Sequence, residues 1–154
     1  MTRHMMKKHC GLTIIIMLLC LIDTFAIANS DEVTLFDGYG KASAYIDLQD
    51  EFTIYLWGGK PVAYLKRDHS GGYHVYGFNG KHLGWFVDGV IWSHDGNASC
   101  AIKEKMKRTE FEPYKSFKQF KPFKNFPEFA PYRPYFTNSF GDTPCRYLLA
   151  EGGK

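Results

Sequence analysis

Residues 36–46 read FDGYGKASAYI, and three later stretches repeat the pattern: YLWGGKPVAYL (55–65), YGFNGKHLGWF (76–86) and WSHDGNASCAI (92–102). Each stretch has an aromatic residue four positions before a shared glycine. A small residue follows four positions after that glycine, and a large apolar residue six positions after it. A unit repeated in this way cannot bury its apolar face alone, so the copies must pack together. The shared glycines are Gly40, Gly59, Gly80 and Gly96.

The glycines predict chain reversals. Gly58-Gly59 and two similar pairs are dipeptides that accept positive φ at both positions, which a two-residue type I′ hairpin turn requires. Tyr39-Gly40 is a weaker match, and Asp88-Gly89 predicts a turn between repeats. Each repeat is therefore predicted to be a β-hairpin, which gives an all-β domain of about eight short strands over residues 29–103. The two similar pairs are Asn79-Gly80 and Asp95-Gly96.

Alternation along these strands separates two faces. Since a single hairpin is unstable in water, the four should share a core made by the aliphatic face. Small residues at equivalent positions indicate close convergence around an axis. The aliphatic face comprises Leu35, Ala44, Ile46, Ile54, Ala63, Leu65, Val75, Gly84, Phe86, Ile91, Cys100 and Ile102. The opposite, aromatic face comprises Phe36, Tyr45, Tyr55, Trp57, Tyr64, Tyr76, Phe78, Trp85 and Trp92, and it needs a cover or a ligand.

The runs LFDGYGKASAYID, IYLWGGKPVAYL and HVYGFNGKHLGWFVDGVIWSHDGN resemble the bacterial four-fold β-flower family. The resemblance covers roughly residues 33–102. It implies a shallow, symmetric barrel whose hairpins are arranged like petals. The last repeat departs from the pattern, because Ala101 replaces an aromatic residue and Asn97 replaces lysine. Strict fourfold equivalence of any binding site is therefore not expected.

The first 28 residues are predicted to be a secretory signal peptide. Arg3, Lys7 and Lys8 form a basic start, a short apolar run follows, and Ala26-Ile27-Ala28 provides a small-residue cleavage site. Cleavage is expected after Ala28. The apolar run is too short for a membrane anchor, which needs about 20 residues. The protein is thus predicted to be exported, to the periplasm or beyond, where disulfides can form.

A tail over residues 104–137 has aromatic residues at every third position from 111 to 135. Polyproline II, with three residues per turn, is the conformation that lines such residues along one edge. Five prolines fit that conformation and oppose regular helix or strand. A second edge carries Lys115, Lys118, Lys121, Lys124 and Arg133. The aromatic edge carries Phe111, Tyr114, Phe117, Phe120, Phe123, Phe126, Phe129, Tyr132 and Tyr135.

Charge suggests where the tail goes. Residues 29–102 hold five basic and nine acidic residues, a net charge of −4, whereas residues 103–137 hold nine basic and four acidic residues, a net charge of +5. The tail is therefore expected to wrap its own domain, with its lysines toward the acidic repeats and its rings covering the aromatic petals. The alternative is that cations and rings together contact a partner surface, such as a lipid interface.

Function is less determined than fold. The sequence favours a non-catalytic binding or envelope-associated module, with membrane lipid, an envelope glycan or another envelope protein as partner. The alternatives are a purely structural domain whose tail completes its own fold, and a hydrolase whose catalytic pair the sequence does not reveal. Nucleic acid, a cofactor and a metal site are not expected. The candidate ligand-binding residues are Tyr45, Trp57, Tyr64, Phe78, Trp85, Phe117, Phe120 and Phe123.

The sequence leaves open whether the last two cysteines are bonded. Cys100 and Cys145 are the only cysteines after cleavage, so they either form a disulfide or leave Cys100 filling the small axial position of its repeat. The closing segment 138–154 has no motif of its own. His82 and His94 occupy repeat positions that hold Pro61 and Trp57 elsewhere, which favours a structural role over metal binding.

Overall fold

The computed structural model describes residues 31–154. The predicted signal peptide and its cleavage site after Ala28 lie outside these residues. Eight antiparallel strands follow one another in sequence order and close into a barrel, because β1 also pairs with β8 at Phe36 and Ala101. The strands are β1 (Glu32–Phe36), β2 (Ala42–Asp47), β3 (Thr53–Leu56), β4 (Pro61–Arg67), β5 (Tyr73–Gly77), β6 (His82–Val87), β7 (Val90–Trp92) and β8 (Ala98–Ala101).

The four hairpin turns are identical, but they are not the predicted two-residue type I′ turns. In the first, Gly40 N–H donates to Asp37 O and Asp37 N–H donates to Lys41 O, and only Gly40 within the loop has positive φ, at +87°. This is a three-residue loop in which a type I turn is followed by a left-handed glycine that forms a bulge. Positive φ at the shared glycine alone satisfies all four repeats, including Tyr39-Gly40, where a type I′ turn would have strained the tyrosine. The other three loops repeat both hydrogen bonds around Gly59, Gly80 and Gly96.

A two-residue turn of the predicted kind does occur between repeats. Asp88 and Gly89 both have positive φ, at +51° and +77°, and they join the paired residues Val87 and Val90 of β6 and β7. Since successive turns alternate between the two ends of an up-and-down barrel, the four glycine loops share one end. We call these loops the hairpin tips, and their end of the barrel the tip end.

The barrel core contains the predicted aliphatic face. Each hairpin pairs the large apolar residue before its aromatic with the small residue of the repeat, as Leu35 does with Ala44 and Ile54 with Ala63. All four of these residues are fully buried in one cluster. A small residue opposite a large one lets neighbouring hairpins approach closely around the axis. The fold is therefore the predicted all-β arrangement of four hairpin repeats.

The C-terminal segment supplies part of the core, which the sequence did not indicate. Helix α1 (Cys145–Ala150) leads into a short 3₁₀ turn (Glu151–Gly153), and a second 3₁₀ turn (Lys103–Lys105) follows β8. Cys145 is disulfide-bonded to Cys100, and Leu149 packs in the barrel cluster with Val62 and Leu83. Within residues 31–154, no helix is long and apolar enough to cross a membrane.

Candidate binding surface: the strap and its aromatic rim

Residues 108–137, here called the strap, contain no helix or strand and cross the four hairpin tips in order. At the second tip, the backbone N–H of Gln119 donates to the carbonyl of Gly59 at 2.9 Å. The same bond recurs every nine residues along the strap. Nine residues are three periods of three, so each tip meets the same edge of the strap. The other three bonds run from Glu110 to Gly40, from Glu128 to Gly80 and from Thr137 to Gly96.

The tip glycines also make room for the strap backbone. A Cβ built on Gly59 would lie 2.0 Å from the carbonyl oxygen of Phe117, which no side chain can tolerate. Each shared glycine is thus required twice, once for its positive φ and once for the closeness of the strap. At the other three tips, a built Cβ would lie 2.3 to 2.5 Å from a strap carbonyl oxygen. These pairs are Gly40 with Arg108, Gly80 with Phe126 and Gly96 with Tyr135.

The prolines of the strap lie where no hydrogen bond to the barrel is made. The edge that holds the bonding residues runs through every third position from 110 to 137. On this edge, Ser116 and Asn125 donate N–H groups to Trp57 and Phe78, in addition to the four bonds to the tips. Because proline has no N–H to donate, it is tolerated on this edge at the positions that make no hydrogen bond to the barrel. Those positions are Pro113, Pro122, Pro131 and Pro134.

The cationic edge of the strap faces the barrel, as the charge segregation predicted. Lys118 lies between two carboxylates, 2.7 Å from Glu32 and 2.5 Å from Asp47, and Lys115 also pairs with Glu32 at 2.7 Å. The same pairing extends to the other cations of this edge. These pairs are Lys121 with Asp50, Lys124 with Glu51 and Arg133 with Asp68, at 2.5 to 2.8 Å.

These lysines also cover the aromatic face of the barrel. The Lys115 ammonium lies 4.5 Å from the ring centre of Tyr45 and 5.1 Å from that of Trp57, and Lys124 lies 4.5 Å from the ring centre of Tyr64. A cation over a ring within about 6 Å is attracted by the negative face of that ring. The strap therefore covers these barrel rings with cations, whereas near its end Phe136 stacks on Trp92 with ring centres 4.8 Å apart.

The ion pairs shift the titration of both partners. Burial opposes the charged form of Lys118, but the hydrogen bonds to Asp47 and Glu32 outweigh it and raise the pKa of the ammonium. Burial likewise opposes the Asp47 carboxylate, yet the bonds from Lys118 and the Gln49 N–H lower its pKa below the ordinary value. Both groups are charged at neutral pH, and the contact between strap and barrel is electrostatic as well as hydrogen-bonded.

The aromatic edge of the strap faces solvent. Its nine rings, here called the aromatic rim, are each at least 87% exposed. Folded proteins seldom expose an apolar surface of this extent unless it contacts a partner. The rim comprises Phe111, Tyr114, Phe117, Phe120, Phe123, Phe126, Phe129, Tyr132 and Tyr135. The expectation that the tail wraps its own domain with lysines inward agrees with the structure, whereas the expectation that the period-three rings cover the aromatic petals is wrong. Phe136, which lies outside that period, does stack on Trp92.

The structure brings only some of the candidate ligand-binding residues together: Phe78 of the barrel lines one cleft with Phe120 and Phe123 of the strap. Phe117, Phe120 and Phe123 belong to the rim. Trp57 is half-buried, and its indole N–H donates to the carbonyl of Pro113. The four remaining barrel candidates are buried, at most 6% exposed, so a ligand reaches them only if the strap leaves. These four are Tyr45, Tyr64, Phe78 and Trp85.

A chain of histidines fills the part of the barrel surface where the cationic edge of the strap is interrupted by Pro127 and Ala130. His82 is buried and lies 3.0 Å from a ring nitrogen of His74 and 2.8 Å from one of His94. Burial, followed by the neighbouring His94 and His74, lowers the pKa of His82 to about 4, so this ring is neutral at pH 7. Among the residues described, no three His, Cys, Asp or Glu side chains are arranged to hold a metal ion.

A cleft of about 310 Å³ opens beside the rim, between the second and third tips. Phe120 and Phe123 of the rim line one side, and Lys60, Asn79 and the C-terminal Lys154 line the other. The side-chain amide of Asn79 donates to the carbonyl of Glu151 at 2.7 Å, which joins the C-terminal 3₁₀ turn to the third tip. The tip end thus presents the strap and the C-terminal turn side by side.

A family model described as 4-fold beta flower protein matches residues 33–149. The chain belongs to this family. The match begins in β1 and runs through the strap into α1, so the strap and the C-terminal helix fall within the family pattern along with the hairpins. No curated protein and no solved structure matches this β-flower chain significantly.

Proposed function

We propose that this β-flower protein is an exported, non-catalytic binding module of the cell envelope, and that the aromatic rim is its contact surface. The observation that carries the proposal is the exposure of all nine rings of the aromatic rim. An apolar ridge of this length would promote aggregation if it stayed bare, so it is expected to be covered in the working state.

The strap is held firmly enough to present these rings. Four backbone bonds at the tips, five cations paired to barrel carboxylates and the Cys100–Cys145 disulfide fix it to the barrel. Rings on an ordered backbone lose less conformational freedom on binding than rings on a disordered tail. The same contacts support the alternative of a structural domain whose tail only completes its own fold, but that function gives no reason for the outward rings.

The test compares the wild type with two variants of the mature chain. In F117S/F120S/F123S, three exposed rings become polar, and in F117W/F120W/F123W they stay aromatic. Because these side chains leave the core untouched, both variants should fold like the wild type. Binding to defined phospholipid vesicles and to purified peptidoglycan is measured by co-sedimentation. Loss of binding in the serine variant alone supports the proposal, and equal binding of all three chains to every material refutes it.

Export is tested separately. The mature protein recovered from outside the cytoplasm of a secreting bacterial host should begin at Asn29, as read by mass spectrometry of the intact chain. A protein that stays in the cytoplasm with residues 1–28 attached would contradict export, whatever the rim binds.

A further inference from the structure

We propose that the rim docks on the interface of a phospholipid bilayer, through its rings and without need of anionic lipid. This inference rests on the proposed function and names its partner. It differs from the alternative considered from the sequence, in which cations and rings of the tail contact a partner surface together.

The five cations on the cationic edge of the strap are already engaged by the barrel. Lys115, Lys118, Lys121, Lys124 and Arg133 are each paired with a barrel carboxylate at 2.7 Å or less, or at 2.8 Å for Lys124. Moving them to a lipid headgroup would leave those carboxylates unpaired, so the exchange gains little. The strap therefore offers a membrane its apolar edge and keeps its charged edge for the barrel.

The rim runs around one end of the barrel. The strap bonds to all four hairpin tips, and these tips share one end of the barrel. The rings consequently follow the circumference of that end. A compact partner at one side would cover only some of them, whereas a bilayer interface reaches an apolar belt around a barrel end.

The rim contains two kinds of aromatic side chain, phenylalanine and tyrosine. Phenylalanines occupy its middle from Phe117 to Phe129, and Tyr114, Tyr132 and Tyr135 flank them, with Phe111 beyond Tyr114 at the first end. Phenyl rings favour the acyl side of an interface, while tyrosines keep their hydroxyls among the headgroups. A glycan site needs polar side chains beside its rings, and the cleft supplies them next to Phe120 and Phe123, but the other seven rings of the rim do not line that cleft.

The strap backbone limits how deeply the rim can enter the bilayer. One edge of the strap donates its N–H groups to the barrel, and prolines remove the donors at the other positions of that edge. An interface still holds water for the rest of the backbone, whereas the hydrocarbon core does not. The rings are thus expected to enter the interface while the strap stays at headgroup level.

The binding experiment uses the mature, disulfide-bonded protein and two kinds of vesicle, neutral phosphatidylcholine alone and the same lipid with about 30% phosphatidylglycerol. Wild type should partition into both within about threefold, and raising the salt from about 0.05 M to about 0.5 M should change neither value by more than that. F117S/F120S/F123S should partition about 100-fold more weakly, because each phenyl ring contributes about tenfold or somewhat less at partial depth. F117W/F120W/F123W should bind as wild type does.

Single tryptophans locate the contact. Phe123→Trp places a reporter on the rim, and Leu48→Trp places one in the turn at the opposite end of the barrel, where Leu48 is 40% exposed. After subtraction of wild-type fluorescence, neutral vesicles should shift the emission of the Phe123 variant to shorter wavelength and leave the Leu48 variant unchanged. Equal shifts at both positions would overturn docking by the rim.

Three other outcomes also overturn the inference. One is binding that requires the anionic lipid and disappears at high salt. Another is a rim-dependent dimer in sedimentation velocity at micromolar concentration, which assigns the rim to a second copy of this chain. The last is rim-dependent binding to peptidoglycan with no binding to vesicles, in which case the proposed function survives and only the lipid partner is wrong.

Discussion

Replacing Gly59 with alanine tests whether the strap is docked on the hairpin tips. Gly59 has φ of +84°, and a Cβ there would lie 2.0 Å from the Phe117 carbonyl oxygen. Gly71 has a similar φ of +95° in the loop between β4 and β5, but a Cβ there would have no atom within 4 Å. The two substitutions share the backbone strain and differ only in contact with the strap.

The destabilisation that both substitutions share, which comes from backbone strain, is small. An alanine in the left-handed region destabilises the folded state by about 1–2 kcal/mol. Alanine also reduces the conformational freedom of the unfolded chain, which offsets about half of that cost. Gly71→Ala should therefore destabilise the protein by about 1 kcal/mol.

At Gly59 the strap must also retreat by more than about 1 Å to reach ordinary contact distance. That shift breaks the 2.9 Å bond from the Gln119 N–H to the Gly59 carbonyl, which is worth about 1 kcal/mol. It also loosens the ion pairs of Lys118, which lies one residue before Gln119 in the strap. Gly59→Ala should consequently cost about 3 kcal/mol, roughly 2 kcal/mol more than Gly71→Ala.

The assay is urea unfolding of both variants, together with limited trypsin digestion under native conditions. Trypsin reports on the strap directly, because the bonds after Lys115 and Lys118 become cleavable when the strap moves away from the second tip. Gly59→Ala should be cut there faster than wild type, and Gly71→Ala should not. Equal unfolding free energies for the two variants, within about 0.5 kcal/mol, would refute docking of the strap on this glycine.

Three further perturbations test the rest of the structure. C100A/C145A opens a 45-residue loop that includes the strap and should lower the free energy of unfolding by about 4 kcal/mol, measured in urea. Because the pKa of His82 is about 4 when folded and about 6.5 when unfolded, the folded state binds fewer protons, and stability should fall by up to about 3 kcal/mol as the pH drops from 6.5 to 4. Lys118→Met leaves the buried Asp47 carboxylate unpaired and should cost about 1–2 kcal/mol in the same urea assay, allowing for the partial exposure of the lysine.

Each of these has a matched comparison. Wild type unfolded under reducing conditions should lose as much stability as C100A/C145A, because alanine already stands at the small position of two other repeats. His82→Gln should flatten the pH dependence between 6.5 and 4, and an unchanged slope would assign that dependence to other groups. Lys124→Met, whose partner Glu51 is two-thirds exposed, should cost clearly less than Lys118→Met, and a cost equal to that of Lys118→Met would contradict the importance of burial.

Local rules in the sequence account for the hairpins. A glycine recurring between an aromatic and a small residue predicts a reversal, and alternation across that reversal selects the aliphatic face for the core. The same rules misassigned the turn, since Asn79-Gly80 and Asp95-Gly96 suit a type I′ turn when viewed singly. The signal that distinguishes the two turns is the Tyr39-Gly40 copy, because only a geometry with positive φ at the glycine alone fits all four repeats.

The strap shows where sequence information ends. Its period of three and its charge of +5 identify an edged rod that is attracted to an acidic domain, and both are properties of the sequence. Which edge faces inward is decided by partners distant in sequence, such as Glu32 and Asp47, which become neighbours of Lys118 only when the barrel closes. Strap lysines already cover Tyr45, Trp57 and Tyr64, so the rings of the aromatic rim are left outside.

The sequence by itself determined the repeat, the positions of reversal, the core face and the periodicity of the tail, because each depends on residues near one another along the chain. Tertiary structure alone decided the nine-residue docking on the tips, the chain of His74, His82 and His94, and the burial of Leu149 in the core. These depend on the folded barrel, whose closure joins Phe36 to Ala101, and on bonds between groups up to 83 residues apart, as in the pair of Lys115 with Glu32.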